Sequence, residues 1–237
     1  MGADTLSRPA LSCQANAENY QPVVLSINQP VGLEGYGYAN PAECQSAVDA
    51  TLQSAEFATC NWNGSGYAPY AVASNLAIGM GGYGYAASSD CNDAVTTANG
   101  GAICQWYGSG FATYSVRNGQ PATRVDGDGT IYGYLYAADC ESSTQTASNG
   151  VVCTWNGQNW SMFSTGTNAA VGRLDSDGSY YGFAGLGDCQ AATLGATPTL
   201  ACSWNGLGWA AFSIDKGWQA GTNAFASLDD CNIAIRT

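Results

Sequence analysis

Ten cysteines, eighteen carboxylates and no histidine set the chemistry open to this chain of 237 residues. Without imidazole there is no Ser-His-Asp or Cys-His machinery and no histidine metal ligand. If every cysteine is bridged, no thiol nucleophile remains, and acid–base work falls to carboxylates. The most regular carboxylate stands immediately before a cysteine: Glu43, Asp90, Asp139, Asp188 and Asp230. It reads either as a cap or turn acceptor for the segment that follows, or as a hydrogen-bond acceptor for a ligand, offered once per repeat.

Aromatic residues are placed with the same regularity. Trp62, Trp106, Trp155 and Trp204 follow a cysteine by two residues, hence on the same strand face, and are expected to pack on the disulfide. Tyr20, Tyr67, Phe111, Trp160 and Trp209 lie just past a turn and are the candidates for exposure. A flat ring beside Asn and backbone amides suits a sugar, which offers an apolar face and a rim of hydroxyls; packing between repeats is the alternative. The candidate sugar-binding set is these five rings with the five carboxylates.

Both sets belong to a repeat of about 45–50 residues, a period typical of solenoids and propellers. One block reads CNWNGSGYAPY from Cys60, CQWYGSGFATY from Cys104, CTWNGQNWSMF from Cys153 and CSWNGLGWAAF from Cys202, with a looser copy from Cys13. The other begins YGYA at Tyr36 and Tyr83, YGYL at Tyr132 and YGFA at Tyr181, each eight residues before a cysteine, with NAFA at Asn223 in register. Cut between these blocks, the chain starts and stops in mid-repeat. That implies a closed ring, with Cys44 bridged to Cys60, Cys91 to Cys104, Cys140 to Cys153, Cys189 to Cys202, and Cys13 sealing the ring to Cys231.

Within one repeat, Thr123–Asp126, Ile131–Ala137, Val151–Trp155 and Trp160–Ser164 read as four short strands. Gly127-Asp128-Gly129 and Asn156-Gly157 are turns, and Asp139 caps one helical turn in a polar stretch to Ala147. The expected fold is therefore all-β, a five-bladed β-propeller filling residues 1–237 as a single domain, its closing blade built from residues 10–27 plus 219–237. The elements Gly208-Trp209-Ala210-Ala211-Phe212 and Gly129-Thr130-Ile131-Tyr132-Gly133 resemble those of five-bladed propeller lectins of the tachylectin-2 type. That resemblance implies a ring of sugar sites.

The remaining features narrow the partners. A net charge of −12 with six basic residues disfavours nucleic acid and anionic lipid, and no apolar run is long enough for membrane insertion. The cysteine framework indicates an oxidising compartment, so the protein is expected to be secreted, its signal peptide removed and Met1-Gly2 added. No cofactor or metal is expected: Asp126-Gly127-Asp128-Gly129 and Asp175-Ser176-Asp177-Gly178 lack the Gly and Glu of an EF-hand and read as turns. The sequons Asn63-Gly64-Ser65 and Asn159-Trp160-Ser161 fall in the hairpin block. Arg117, Arg124, Arg173, Lys216 and Trp218 break the repeat and read as surface groups scattered along the chain. The leading expectation is a non-catalytic, multivalent lectin for glycans or glycoconjugates with up to five shallow sites. Alternatives are a cell-surface interaction platform and, less favoured, a carboxylate glycosidase.

Overall fold

The computed structural model describes residues 10–175, 180–222 and 224–237, and the chain forms five units in a row. Each unit is a tight antiparallel hairpin followed by a helix. The first contains β1 (Leu11–Ala15), β2 (Tyr20–Val24), β3 (Gln29–Pro30) and α1 (Pro41–Gln53). The second contains β4 (Ala58–Trp62), β5 (Tyr67–Ala71), β6 (Leu76–Ala77) and α2 (Ser88–Thr97). The third has β7 (Ala102–Trp106), β8 (Phe111–Ser115) and α3 (Ala137–Thr146). The fourth has β9 (Val151–Trp155), β10 (Trp160–Ser164) and α4 (Leu186–Gly195), and the fifth β11 (Leu200–Trp204), β12 (Trp209–Ser213) and α5 (Leu228–Ala234).

The hairpins form where the sequence places them because the turn chemistry is explicit. The Asn63 side chain accepts from the backbone N–H of Ser65 and Gly66, and Asn156 and Asn205 close their turns in the same way. Gly64 and Gly157 then take φ of +98° and +94°, which costs glycine little. A side chain there would also collide with the preceding unit, since a Cβ on Gly64 would meet the Tyr36 ring at 2.9 Å.

The polar stretch after each aromatic block is a full helix of seven to thirteen residues rather than one turn. Two short strands expected in the third unit, Thr123–Asp126 and Ile131–Ala137, reduce to the isolated bridges Val125↔Ile131 and Phe111↔Tyr134, with helix beginning at Ala137. Nor does Asp139 cap its helix. Tyr136 holds the N-cap position, and Asp139 sits inside the first turn, where its charge complements the helix dipole. Glu43 and Asp230 lie there too, offering their backbone N–H to the capping side chains of Asn40 and Ser227.

The helices overturn the expected disulfide pairing. All five bridges join the hairpin of a unit to the helix of the same unit: Cys13–Cys44, Cys60–Cys91, Cys104–Cys140, Cys153–Cys189 and Cys202–Cys231, with Cα–Cα separations of 5.7–6.0 Å. The expected Cys44–Cys60, Cys91–Cys104, Cys140–Cys153, Cys189–Cys202 and Cys13–Cys231 bonds do not form. The reason is geometric. In the four expected pairs other than Cys13–Cys231 the first cysteine lies in the first turn of its helix, and a ten-residue helix carries the chain roughly 15 Å away before the next strand starts. That turn packs back on the preceding hairpin, as α1 does on β1 and β2.

The unit therefore starts at the hairpin, and the two apparent half-repeats are the start of the first unit and the close of the fifth. No strand pairing joins residues 10–27 to residues 219–237 among the described residues. The helices pack in chain order, α1 on α2 through α4 on α5. Among the described residues no disulfide or strand pairing links the first unit to the fifth, and the five small sheets close no barrel or propeller. What holds from the expectation is a repeated fold of small antiparallel sheets with one disulfide per unit.

Candidate functional site

Each junction between units is built from aromatic rings. Across the end of each hairpin, Trp62 meets Tyr67, Trp106 meets Phe111, Trp155 meets Trp160 and Trp204 meets Trp209, edge to face with centroids 5.1–5.8 Å apart. The second ring of each pair also leans on an aromatic of the preceding unit: Tyr38 on Tyr67, Tyr85 on Phe111, Tyr134 on Trp160 and Phe183 on Trp209. The hairpin aromatics thus pack between units and keep one side partly open to solvent. Trp62, Trp106, Trp155 and Trp204 are likewise half-buried rather than core.

Two of the candidate pairs are brought together directly. Trp204, Trp209 and Asp188 line one recess of about 380 Å³ between the fourth and fifth units, closed by Phe183 and Leu228. At the first junction the Tyr67 hydroxyl lies 3.4 Å from the Glu43 carboxylate. Partial burial, then the Glu43 charge, holds the Tyr67 phenol above its ordinary pKa, so it remains a donor. Asp90 and Asp139 are exposed at the equivalent helix starts of the second and third units. Tyr20 and Asp230 sit in the first and fifth units, and among the described residues no hairpin–helix junction joins them. Asp230 accepts from the Ser227 hydroxyl at 2.8 Å.

A second concavity has no helix residue among its described lining. It is about 1140 Å³ in volume and crosses the third to fifth units, with Met80 of the second at one edge. Arg124, Arg173, Lys216 and Trp218, read from the sequence as scattered, all line it. Arg124 donates to both oxygens of Asp126 at 2.8 and 3.2 Å and to the Asn156 carbonyl of the next unit at 3.1 Å, with its guanidinium over Tyr132. Arg173 repeats this with Asp175, the Asn205 carbonyl and Tyr181. Hydrogen bonds from Arg124, then from Tyr132, hold the Asp126 carboxyl below its ordinary pKa. Lys216 lies 5.0 Å over the Trp218 ring.

The gathering of these residues was legible only as a spacing: Arg124 and Arg173 occupy the same place in successive repeats, and stacked repeats align equivalent places. Asp126–Gly129 is a turn, closed by Asp126 and by the Asp128 carboxylate, which accepts from Thr130 N–H. In the matching segment, Ser176-Asp177-Gly178 lie outside the described residues, as do Met1-Gly2 and Asn223. Among the described residues no group of three or more acidic or cysteine side chains is placed to hold a metal ion. In both sequons the asparagine amide donates to a carbonyl later in its own unit, Asn63 to Tyr83 and Asn159 to Tyr180. No helix is long and apolar enough to cross a membrane, and the five disulfides fit an oxidising compartment.

Comparison of the chain with protein-family models, with curated proteins and with solved structures found no match in any of the three.

Proposed function

We propose that this protein is a secreted, non-catalytic carbohydrate-binding protein with weak sites repeated at the junctions between its units. The observation that carries this reading is the recess where the half-exposed Trp204–Trp209 pair stands beside the exposed carboxylate of Asp188. A pyranose presents a C–H face to such a ring, while a carboxylate accepts from two adjacent hydroxyls. The same pairing of rings recurs at three more junctions, so sites that are weak singly gain from avidity on a branched or clustered glycan. The resemblance of Gly208–Phe212 to tachylectin-2-type elements supports the same chemistry. The test is a glycan array read with and without a monovalent competitor sugar. Retention that collapses with competitor, and is lost in Trp209→Ala, is the expected result; no retention on any glycan overturns the reading.

The interaction-platform reading has one observation in its favour. Leu25, Ile27 and Leu33 are exposed within nine residues of one another in the first unit, apolar surface of the kind that partners cover. Self-association by sedimentation, lost when Ile27 and Leu33 are made polar, would support it.

A further inference from the structure

In a chain where carboxylates outnumber basic groups by eighteen to six, charge is sorted by face. Every helix has Asp or Glu in its first turn, and none carries Lys or Arg. Three of the six basic residues line the long groove, and no Asp or Glu is among the described residues that line it. Asp126 and Asp175 orient the guanidiniums yet stay out of the lining. Arg124 uses its Nε–H, one Nη2–H and one Nη1–H internally, which leaves two N–H donors of its five. Arg173 keeps 41% of its side-chain surface accessible. Lys216 has no carboxylate partner among the described residues, and Trp218 beside it is 63% exposed. A fourth cation, Arg117, approaches Gly166 next to the lining residue Thr167.

We infer that this groove binds an extended acidic oligosaccharide, one carrying carboxylates or sulfates along its length, across the third to fifth units. Chemistry favours a glycan over an acidic peptide. A peptide in a groove beside sheets gains most from pairing with a free strand edge. Here the strands facing the groove are already covered, by Tyr114↔Pro121, Phe163↔Ala170 and Phe212↔Gln219. What the groove offers instead is exposed Trp218, side-chain amides such as Gln120 and Gln219, and cations spaced one repeat apart. Rings, amides and spaced positive charge match sugar faces, hydroxyls and periodic anions. This inference shares the carbohydrate chemistry of the junction reading but uses different residues, so the two can fail separately.

The experiment is calorimetric titration of the intact protein with an oligogalacturonate, with a dextran oligosaccharide of equal length and with polyglutamate, at low and high salt. Oligogalacturonate is expected to bind tightest and to weaken as salt rises. Lys216→Glu, an exposed position outside the Arg clamps, is expected to weaken it about tenfold through one reversed charge. Trp218→Ala is expected to weaken it several-fold. Trp209→Ala should leave it unchanged while abolishing retention of neutral sugars. Dextran binding as tightly as oligogalacturonate, insensitivity to salt, or full affinity in Lys216→Glu would each overturn the inference. So would polyglutamate binding that matches oligogalacturonate and ignores Trp218→Ala.

Discussion

The hydroxyl of Tyr38, in the first unit, donates to the carbonyl oxygen of Cys60 in the second at 2.7 Å, and both residues are fully buried. Tyr85 donates likewise to Cys104 at 2.6 Å, and Tyr134 to Cys153. Each bond runs from the second tyrosine of the YG block to the cysteine at the centre of the next hairpin. That cysteine is also bridged to its own helix, so one residue ties a unit both to itself and to its predecessor. Burial pushes all three phenols far above the ordinary tyrosine range, which keeps them protonated donors.

Tyr85→Phe is therefore expected to lower stability by about 1 kcal/mol, the usual net worth of such a bond. The ring itself will be tolerated, because Phe183 occupies the same place in the fourth unit. Urea denaturation at neutral pH measures the difference; an unchanged midpoint would show that the bond contributes nothing to coupling between units.

Tyr114 presents the opposite case. Its hydroxyl is buried and has no hydrogen-bond partner among the described residues, and the equivalent places in the fourth and fifth units hold Phe163 and Phe212. Tyr114→Phe removes an unsatisfied polar atom and leaves the packing, so it is expected to raise stability by about 1 kcal/mol. A lower melting temperature in this variant would mean that the hydroxyl is satisfied by water.

Much of this was legible in the sequence, and the part that was not has a definite cause. Val151–Trp155 and Trp160–Ser164 form strands with the bounds expected, because Asn156-Gly157 marks the turn and alternating apolar residues mark the strands. The pairing of aromatics with acidic helix starts was legible as two sets of repeated positions. The phase of the repeat was not: a periodic pattern has no first residue, and Cys44 is equally a beginning or an end until a contact decides. The helices were hidden as well, since Ala137–Thr146 is rich in Ser and Thr, which favour turns and caps, and its buried positions are Cys140, Ser143 and Thr144 rather than large apolar residues. Disulfide anchoring and packing on the adjacent hairpin outweigh that weak propensity.

The acidic helix face makes stability depend on pH in a direction that can be worked out. Burial first, then the charges of Asp93 and Asp90 on the neighbouring helix, holds the Glu141 carboxyl above its ordinary pKa. A group raised on folding favours the native state while protonated, so its contribution is complete below the unfolded pKa and is lost as pH rises through the folded one. Glu141→Gln is expected to raise the melting temperature at pH 7 and to leave it nearly unchanged at pH 4. The gain will be a fraction of a kcal/mol because the carboxylate is partly in water. An equal shift at both pH values would assign the effect to packing instead.

The last bridge, Cys202–Cys231, closes a loop of 29 residues and fastens α5, a helix of only seven residues, to the fifth hairpin. So short a helix has little stability of its own, and it packs on α4 and on its own hairpin. Replacing both cysteines by serine is expected to cost about 3.5 kcal/mol on the loop-entropy model. The loss should be local: amides of α5 exchange with solvent quickly, while those of the second and third units, held by Cys60–Cys91 and Cys104–Cys140, keep their protection. Hydrogen exchange on the double variant reads this directly, and peptide mapping of the unreduced wild type should recover Cys202–Cys231 and Cys13–Cys44. Recovery of a Cys13–Cys231 peptide would instead close the row into a ring, and loss of protection throughout the molecule would mean that the five units unfold as one.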